Sequence, residues 1–192
     1  MKRIKLILLP ILLLIVCACS RVDSRSSIIA DNIDSSKYDT SKYSYVTCTR
    51  DTTTTNGEDV VIKYEAYYDK NKYLQVLKSY EKVISFVNFI DKVDKETSKD
   101  ILNPIKKGIL KQYKDAYTTI YQAYKNLDYY DNEIHTNNNS VTSITYINYG
   151  KIDMDKLMEI EGTTDNVKVT NGKIKFSDWK SFAKKYGTIC KN

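Results

Sequence analysis

The residues whose types and spacing most clearly carry chemistry are two cysteines one position apart, in Val16-Cys17-Ala18-Cys19 at the end of an apolar run. In a bacterial lipobox a branched aliphatic residue is followed by two positions, the second of them small, and then by the cysteine that accepts lipid. Val16-Cys17-Ala18-Cys19 fits that order, with Ala18 at the cleavage position, Cys19 as the lipidated first residue of the processed chain and Cys17 discarded. The other register sets Val16 before Cys17, and a bulky β-branched side chain suits the cleavage pocket poorly. The residues upstream agree with export. Lys2, Arg3 and Lys5 form a basic start, and the eleven residues 6–16 carry no polar side chain. That run is short of the roughly 20 residues a spanning helix needs, and Pro10 interrupts it. It reads as a secretory signal over 1–18. Each buried methylene contributes about 0.8 kcal/mol, so the two chains of a diacylglyceryl group suffice for stable attachment. The expected partner is therefore a membrane, reached through the N-terminal lipid on its extracytoplasmic face. The bland alternative is an ordinary cleaved signal and a protein free in solution.

With Cys17 removed and Cys19 alkylated, Cys48 and Cys190 are the remaining thiols. Two such cysteines near opposite ends of an exported domain suggest a disulfide, and closing so long a loop stabilises by about 4–5 kcal/mol in the chain-entropy model. The alternative is a pair of buried, unlinked thiols. Nothing resembles the C-x-x-C spacing of a redox pair. A serine or cysteine hydrolase needs a base beside its nucleophile, yet the one histidine, His135, lies in the polar stretch DNEIHTNNN, which reads as a solvated loop. One histidine and two bridged cysteines assemble no ordinary zinc site, so no metal is expected. Asp91, Asp94, Glu96 and Asp100 miss the spacing of a calcium loop, and Asp153 and Asp155 suit a helix start, where the dipole favours negative charge. No spacing singles out a carboxylate pair, and the six glycines are too scattered for a phosphate-cradling loop. No catalytic residue and no cofactor is called for.

The net charge of +6 falls to +3 once Lys2, Arg3 and Lys5 leave with the signal. So small a charge gives no reason to expect nucleic acid, and it mildly favours anionic headgroups or wall polymers. Residues 19–43, the lipidated cysteine followed by a stretch rich in Ser, Asp and Lys, bury too little apolar surface to order themselves and read as a flexible tether. The folded part is then 44–192, about 150 residues and one core.

Within it, 45–54 and 59–68 are strand-like around the hairpin signal Asn56-Gly57, with Val60, Ile62, Tyr64, Ala66 and Tyr68 alternating against Lys63, Glu65 and Tyr67. A third strand over 73–86 completes a meander. Ile101, Ile105, Ile109, Tyr113, Ala116, Ile120 and Tyr124 recur at helical intervals over 98–124. Pro104 leaves two starts open: Asn103 as a cap with Pro104 in the first turn, or a helix from Ser98 that bends at Pro104. Residues 141–149 read as a fourth strand, 153–160 as a short helix stopped by Gly162, and 167–176 as a small hairpin or extended segment around Asn171-Gly172. Ser177 caps a last helix with the stripe Trp179, Phe182, Ala183 and Tyr186, ended by Gly187. With Lys180, Lys184 and Lys185 beside it, that stripe admits two readings, a helix docked on the sheet or one resting on anionic lipid, and docking is favoured. The sum is an α+β fold: an antiparallel sheet, a three-stranded meander plus one or two further strands, with a long amphipathic helix and a C-terminal helix packed on it.

The lipobox, the Thr47-Cys48-Thr49 strand, the polar hairpin, Leu102-Asn103-Pro104-Ile105 in an amphipathic helix and the ending KIDMDKLMEIEG together resemble the YehR-type lipoproteins of low-GC Gram-positive bacteria. That resemblance implies a small lipid-anchored α+β domain outside a cell with one membrane, and no established activity. The sequence thus points to a non-enzymatic domain that binds a protein or cell-wall ligand at the cell surface. A cell-envelope hydrolase using a carboxylate pair and a structural accessory of an envelope complex are the alternatives.

Overall fold

A computed structural model describes residues 34–54, 57–84, 99–161 and 167–191. Three strands come first: β1 (Ser44–Thr53), β2 (Asp59–Tyr68) and β3 (Leu74–Ile84). The β1–β2 turn closes through Thr54 N–H to Glu58 O at 2.8 Å, with Gly57 at φ 92°, a backbone region that costs glycine nothing. At the β2–β3 turn the Asp69 carboxylate accepts from the N–H groups of Asn71 and Tyr73, both at 2.9 Å. These local bonds set the register in which Val60 faces Val83 and Ala66 faces Leu77. The long helix α1 (Lys99–Tyr124) is followed by β4 (Tyr130–Thr136), β5 (Ser140–Asn148), α2 (Met154–Glu161), the two-residue strands β6 (Val169–Thr170) and β7 (Lys173–Ile174), α3 (Phe176–Lys185) and β8 (Ile189–Lys191). Six strands form one antiparallel sheet in the order β4-β5-β3-β2-β1-β8, and β6 pairs with β7 separately. This is the expected α+β architecture.

The period of two along each strand sorts the sheet into two faces. One face carries Val46, Cys48, Val60, Ile62, Ala66, Leu77, Val83, Val141 and Ile147, all buried, and the helices cover it. The α1 stripe is rotated from the expected one. Leu110 and Tyr117 are the buried positions and Tyr113, Tyr121 and Tyr124 are half-buried, whereas Ala116 is exposed and Ile105 is 49% exposed. Leu110 and Tyr117 make the buried contacts with the sheet, Tyr117 keeping its hydroxyl on the Glu81 carboxylate. Pro104 sits inside the helix, so of the two starts the earlier is observed.

Three other differences have local causes. The sequence reads the polar stretch 131–139 as a loop, yet Tyr130–Thr136 forms β4, an edge strand where charged side chains are tolerated. Tyr130, Asn132 and Ile134 turn toward the helices, and Asp131, Glu133 and His135 turn away. The final helix starts at Phe176, with Lys175 rather than Ser177 at the N-cap and no side-chain cap. Its entry is fixed from the backbone, by the Tyr73–Lys175 bridge and by Phe176 N–H to Lys72 O at 2.8 Å.

The third concerns the tether assigned to 19–43. Its last ten residues are described and dock on the sheet. A 3-10 turn over Ser35–Tyr38 buries Tyr38, whose hydroxyl donates to the Asp131 carboxylate at 2.7 Å, and Asn148 Nδ2 donates to Lys37 O at the same distance. Tyr38 and Tyr43 pack against Val76, Ile144 and Tyr146 on the face opposite the helices. An aromatic anchor with a satisfied hydroxyl offsets the ordering entropy that the polar composition alone does not. Residues 19–33 and the signal 1–18 lie outside the described residues.

Candidate functional site

The two cysteines singled out by the sequence meet. Cys48 and Cys190 are register partners of β1 and β8, with sulfurs 2.02 Å apart and Cα atoms 3.9 Å apart. Ala18 and Cys19 lie outside the described residues, as do Asp91, Asp94 and Glu96. Asp153 caps α2 by accepting from Lys156 N–H at 3.1 Å, with Asp155 in the first turn. His135 is on β4 rather than in a loop, exposed, with Nε2 3.0 Å from Glu133 Oε2. Glu133 is its one near acidic neighbour among the described residues, and among them no three histidine, cysteine or acidic side chains cluster as a metal site would require.

Acids with raised pKa values lie on β3, in the β1–β2 turn and at the end of α2. Glu81, on the helix face of β3, accepts from the Tyr117 hydroxyl at 2.8 Å. Burial pushes its pKa up, with the Tyr117 bond and the nearby Arg50 charge pulling the other way. Glu58 is also raised by burial, in the β1–β2 turn, where it accepts from the Thr54 hydroxyl. Both sit under α1, and both charges act on Tyr113. Next to Glu81, Asn132 Nδ2 bridges Ser143 Oγ (2.9 Å) and Thr145 Oγ1 (2.8 Å), and its Oδ1 is buried with no hydrogen-bond partner among the described residues. This polar row lies between the two apolar clusters of the core.

Glu161, at the end of α2, is held among Tyr124, Tyr130 and Tyr149, and burial pushes its pKa up to about 6. The folded state therefore holds a proton that the unfolded chain has released between about pH 4.5 and 6, so stability falls as pH rises through that window. We expect Glu161→Gln to unfold at the same temperature as the parent at pH 4 and to be more stable by about 1–2 kcal/mol at pH 7.5. Thermal unfolding across that pH range checks this, and a parallel pair of pH profiles would refute it.

The site open to solvent is elsewhere. Along α1, Asn103, Lys106, Lys107, Leu110, Lys111 and Lys114 form one wall of a groove of about 550 Å³, and Thr136 with Asn137, Asn138 and Asn139 of the β4–β5 turn forms the other. The helix presents these lysines because residues three and four apart share a face, which here flanks the buried Leu110–Tyr113–Tyr117 stripe. The turn is fixed by Asn137, whose Oδ1 accepts from the N–H groups of Asn139 and Ser140, both at 2.8 Å. That leaves the Asn138 amide facing solvent, and Asn139 Oδ1 accepts from Lys106 Nζ. Lys111 pairs with Asp115 at 2.5 Å across one exposed turn, while Lys107 and Lys114 have no carboxylate partner among the described residues. Across the same turn a shallower cavity of about 370 Å³ adds Lys82. Among the described residues the groove is lined by no acidic and no aromatic side chain. The four ammonium groups and several carboxamides among the described lining residues suit an anion.

The sequence reading missed this groove. Lys107, Lys111 and Lys114 recur at helical spacing, which is a visible signal, but only the fold brings the Asn137–Asn139 turn, distant in sequence, to the opposite wall.

No protein-family model matches the chain, and no curated protein is similar to it at a significant level. Two solved structures are similar. The Escherichia coli YehR protein, determined by NMR, is 17% identical over 78% of this chain and 91% of its own length, with a TM-score of 0.46. An NMR structure of a protein from Streptococcus pneumoniae TIGR4 is 13% identical over 92% of this chain and 98% of its own, with a TM-score of 0.44.

Proposed function

We propose that this chain is a lipoprotein of the extracytoplasmic membrane face, anchored through Cys19, whose domain binds a ligand rather than transforming one. The observation that carries the binding half is the groove: an open surface lined by Lys106, Lys107, Lys111, Lys114 and the asparagine turn. The anchor half is supported by the lipobox Val16-Cys17-Ala18-Cys19, by the basic start and apolar run before it, and by the resemblance to YehR-type lipoproteins.

Metabolic labelling with an alkyne-bearing fatty acid tests the anchor. Label is expected on the parent and on Cys17→Ser, and is expected to be lost on Cys19→Ser together with recovery of the protein in the membrane fraction. Label retained by Cys19→Ser would overturn the assignment. Cross-linking in intact cells, followed by capture under denaturing conditions, tests the binding half. A reproducible adduct is expected that an unrelated domain on the same anchor does not form.

A further inference from the structure

We infer that the ligand of the groove is a linear phosphate polymer lying along α1, bound at the end of the domain remote from its lipid anchor. The inference rests on the proposed anchor for its orientation and on the groove for its chemistry.

The chemistry comes from what lines the walls. All four cations are lysines, compact and strongly hydrated point charges, which suit phosphate oxygens approached from many directions. Planar carboxylates would favour the guanidinium fork, which the groove lacks. At 1.5 Å rise per residue, Lys107, Lys111 and Lys114 spread their charges over about 10 Å of helix. That suits a chain with several charges better than one ion. The Asn138 and Asn139 carboxamides on the facing wall can hydrogen-bond phosphate oxygens or hydroxyls between them. The described lining residues are lysines, carboxamides and a few others without an aromatic ring, so affinity would come from charge and fall with salt.

The orientation comes from the opposite end. The N-terminal segment meets the sheet at Asp131, the start of β4, and at Asn148, the end of β5. The asparagine turn lies at the other end of the same hairpin, and the nine residues of β5 separate the two by about 27 Å. Asp34 is fifteen residues beyond Cys19 in the sequence. The docked end is therefore the one the chain reaches first from the anchor, and the groove lies at the far end of the hairpin, which favours soluble or wall-linked polymer over the headgroups of the anchoring leaflet.

The test uses residues 19–192 with Cys19→Ser, a chain that keeps every described residue. Calorimetric titration with long-chain inorganic polyphosphate is compared with titration by phosphatidylglycerol vesicles and by orthophosphate. Saturable binding to polyphosphate is expected, much weaker binding to orthophosphate, and none to vesicles. Replacing Lys107, Lys111 and Lys114 together by Gln is expected to weaken polyphosphate binding about 30-fold and to flatten its salt dependence by about 2 logarithmic units. The same replacement at Lys180, Lys184 and Lys185 of α3 removes equal charge and is expected to leave binding unchanged. All these positions are exposed except Lys180, which is half-buried, and matching unfolding temperatures show that both variants fold. No polyphosphate binding, an equal loss in the α3 variant, or binding to vesicles through the groove lysines would overturn the inference. Should Cys19 carry no lipid in cells while the groove still selects polyphosphate, the anchor fails and the ligand class stands.

Discussion

Replacing Cys48 and Cys190 together by alanine is expected to lower the free energy of unfolding by about 5 kcal/mol, the largest effect of any change considered for this domain. The bridge closes a separation of 142 residues, nearly the whole domain. In the chain-entropy model a loop of that size restricts the unfolded ensemble by about 5 kcal/mol. For a domain of about 150 residues that corresponds to a fall in melting temperature of roughly 10–20 °C. The folded state is affected locally as well. β8 is three residues long and pairs only with β1, so without the bridge a short edge pairing must hold it alone. Thermal unfolding of the parent with and without reductant, beside the double alanine variant, gives the magnitude. Amide exchange at Ile189–Lys191 gives the site, with protection expected to fall there first. An unchanged melting temperature on reduction would mean that the cross-link does not constrain the unfolded chain.

Trp179→Ala is expected to cost about 3–5 kcal/mol. Trp179 is 4% exposed and is the side chain by which α3 is set into the main core. Its ring meets Tyr64 edge-on at 5.9 Å between centroids and lies near Phe176 at 6.0 Å, while Phe176 stacks on Tyr68 at 4.2 Å. Removing the indole opens a cavity bordered by large rings that cannot close it without leaving their own partners, so relaxation is limited. Trp179→Phe retains most of the buried area and is expected to lose less than half as much. Chemical denaturation of the two variants separates these outcomes. Equal losses would point to the indole nitrogen rather than the cavity.

Sequence periodicity made the meander, the β5 strand, both short helices and the β6–β7 hairpin legible, because each pairs a clean alternation or stripe with a local turn residue such as Gly57 or Asn171-Gly172. The bridge was legible by elimination among four cysteines. What escaped had no local signal. β4 carries one aliphatic residue, Ile134, and becomes a strand because β5 supplies its hydrogen bonds. β8 is too short to show a period and is held by the bridge. Tyr38, alone in a polar stretch, orders its neighbours only because Asp131 and Tyr146 wait on the sheet. On α1 the isoleucines marked a helix but not its buried side, since Leu110 and Tyr117 make the buried contacts. The groove depends on two segments meeting, so half of it was visible as lysines at helical spacing and the other half was an asparagine tract read as solvent-facing.

The docked segment before β1 has a mechanical consequence. It precedes β1 in the chain, yet its side-chain bonds reach β4 and β5, so it runs as a strap across the sheet from Ser44 past Tyr67 and Val76 to Tyr146 and Asp131. A pull transmitted through residue 34 is met first by the Tyr38–Asp131 and Asn148–Lys37 bonds, and only after they part does it reach β1. The β4–β5 hairpin that takes this tension is the same hairpin whose turn forms the groove. Traction between an anchored N-terminus and a ligand held at Asn137–Asn139 would therefore travel along one pair of strands, loading them lengthwise in shear and leaving the meander slack.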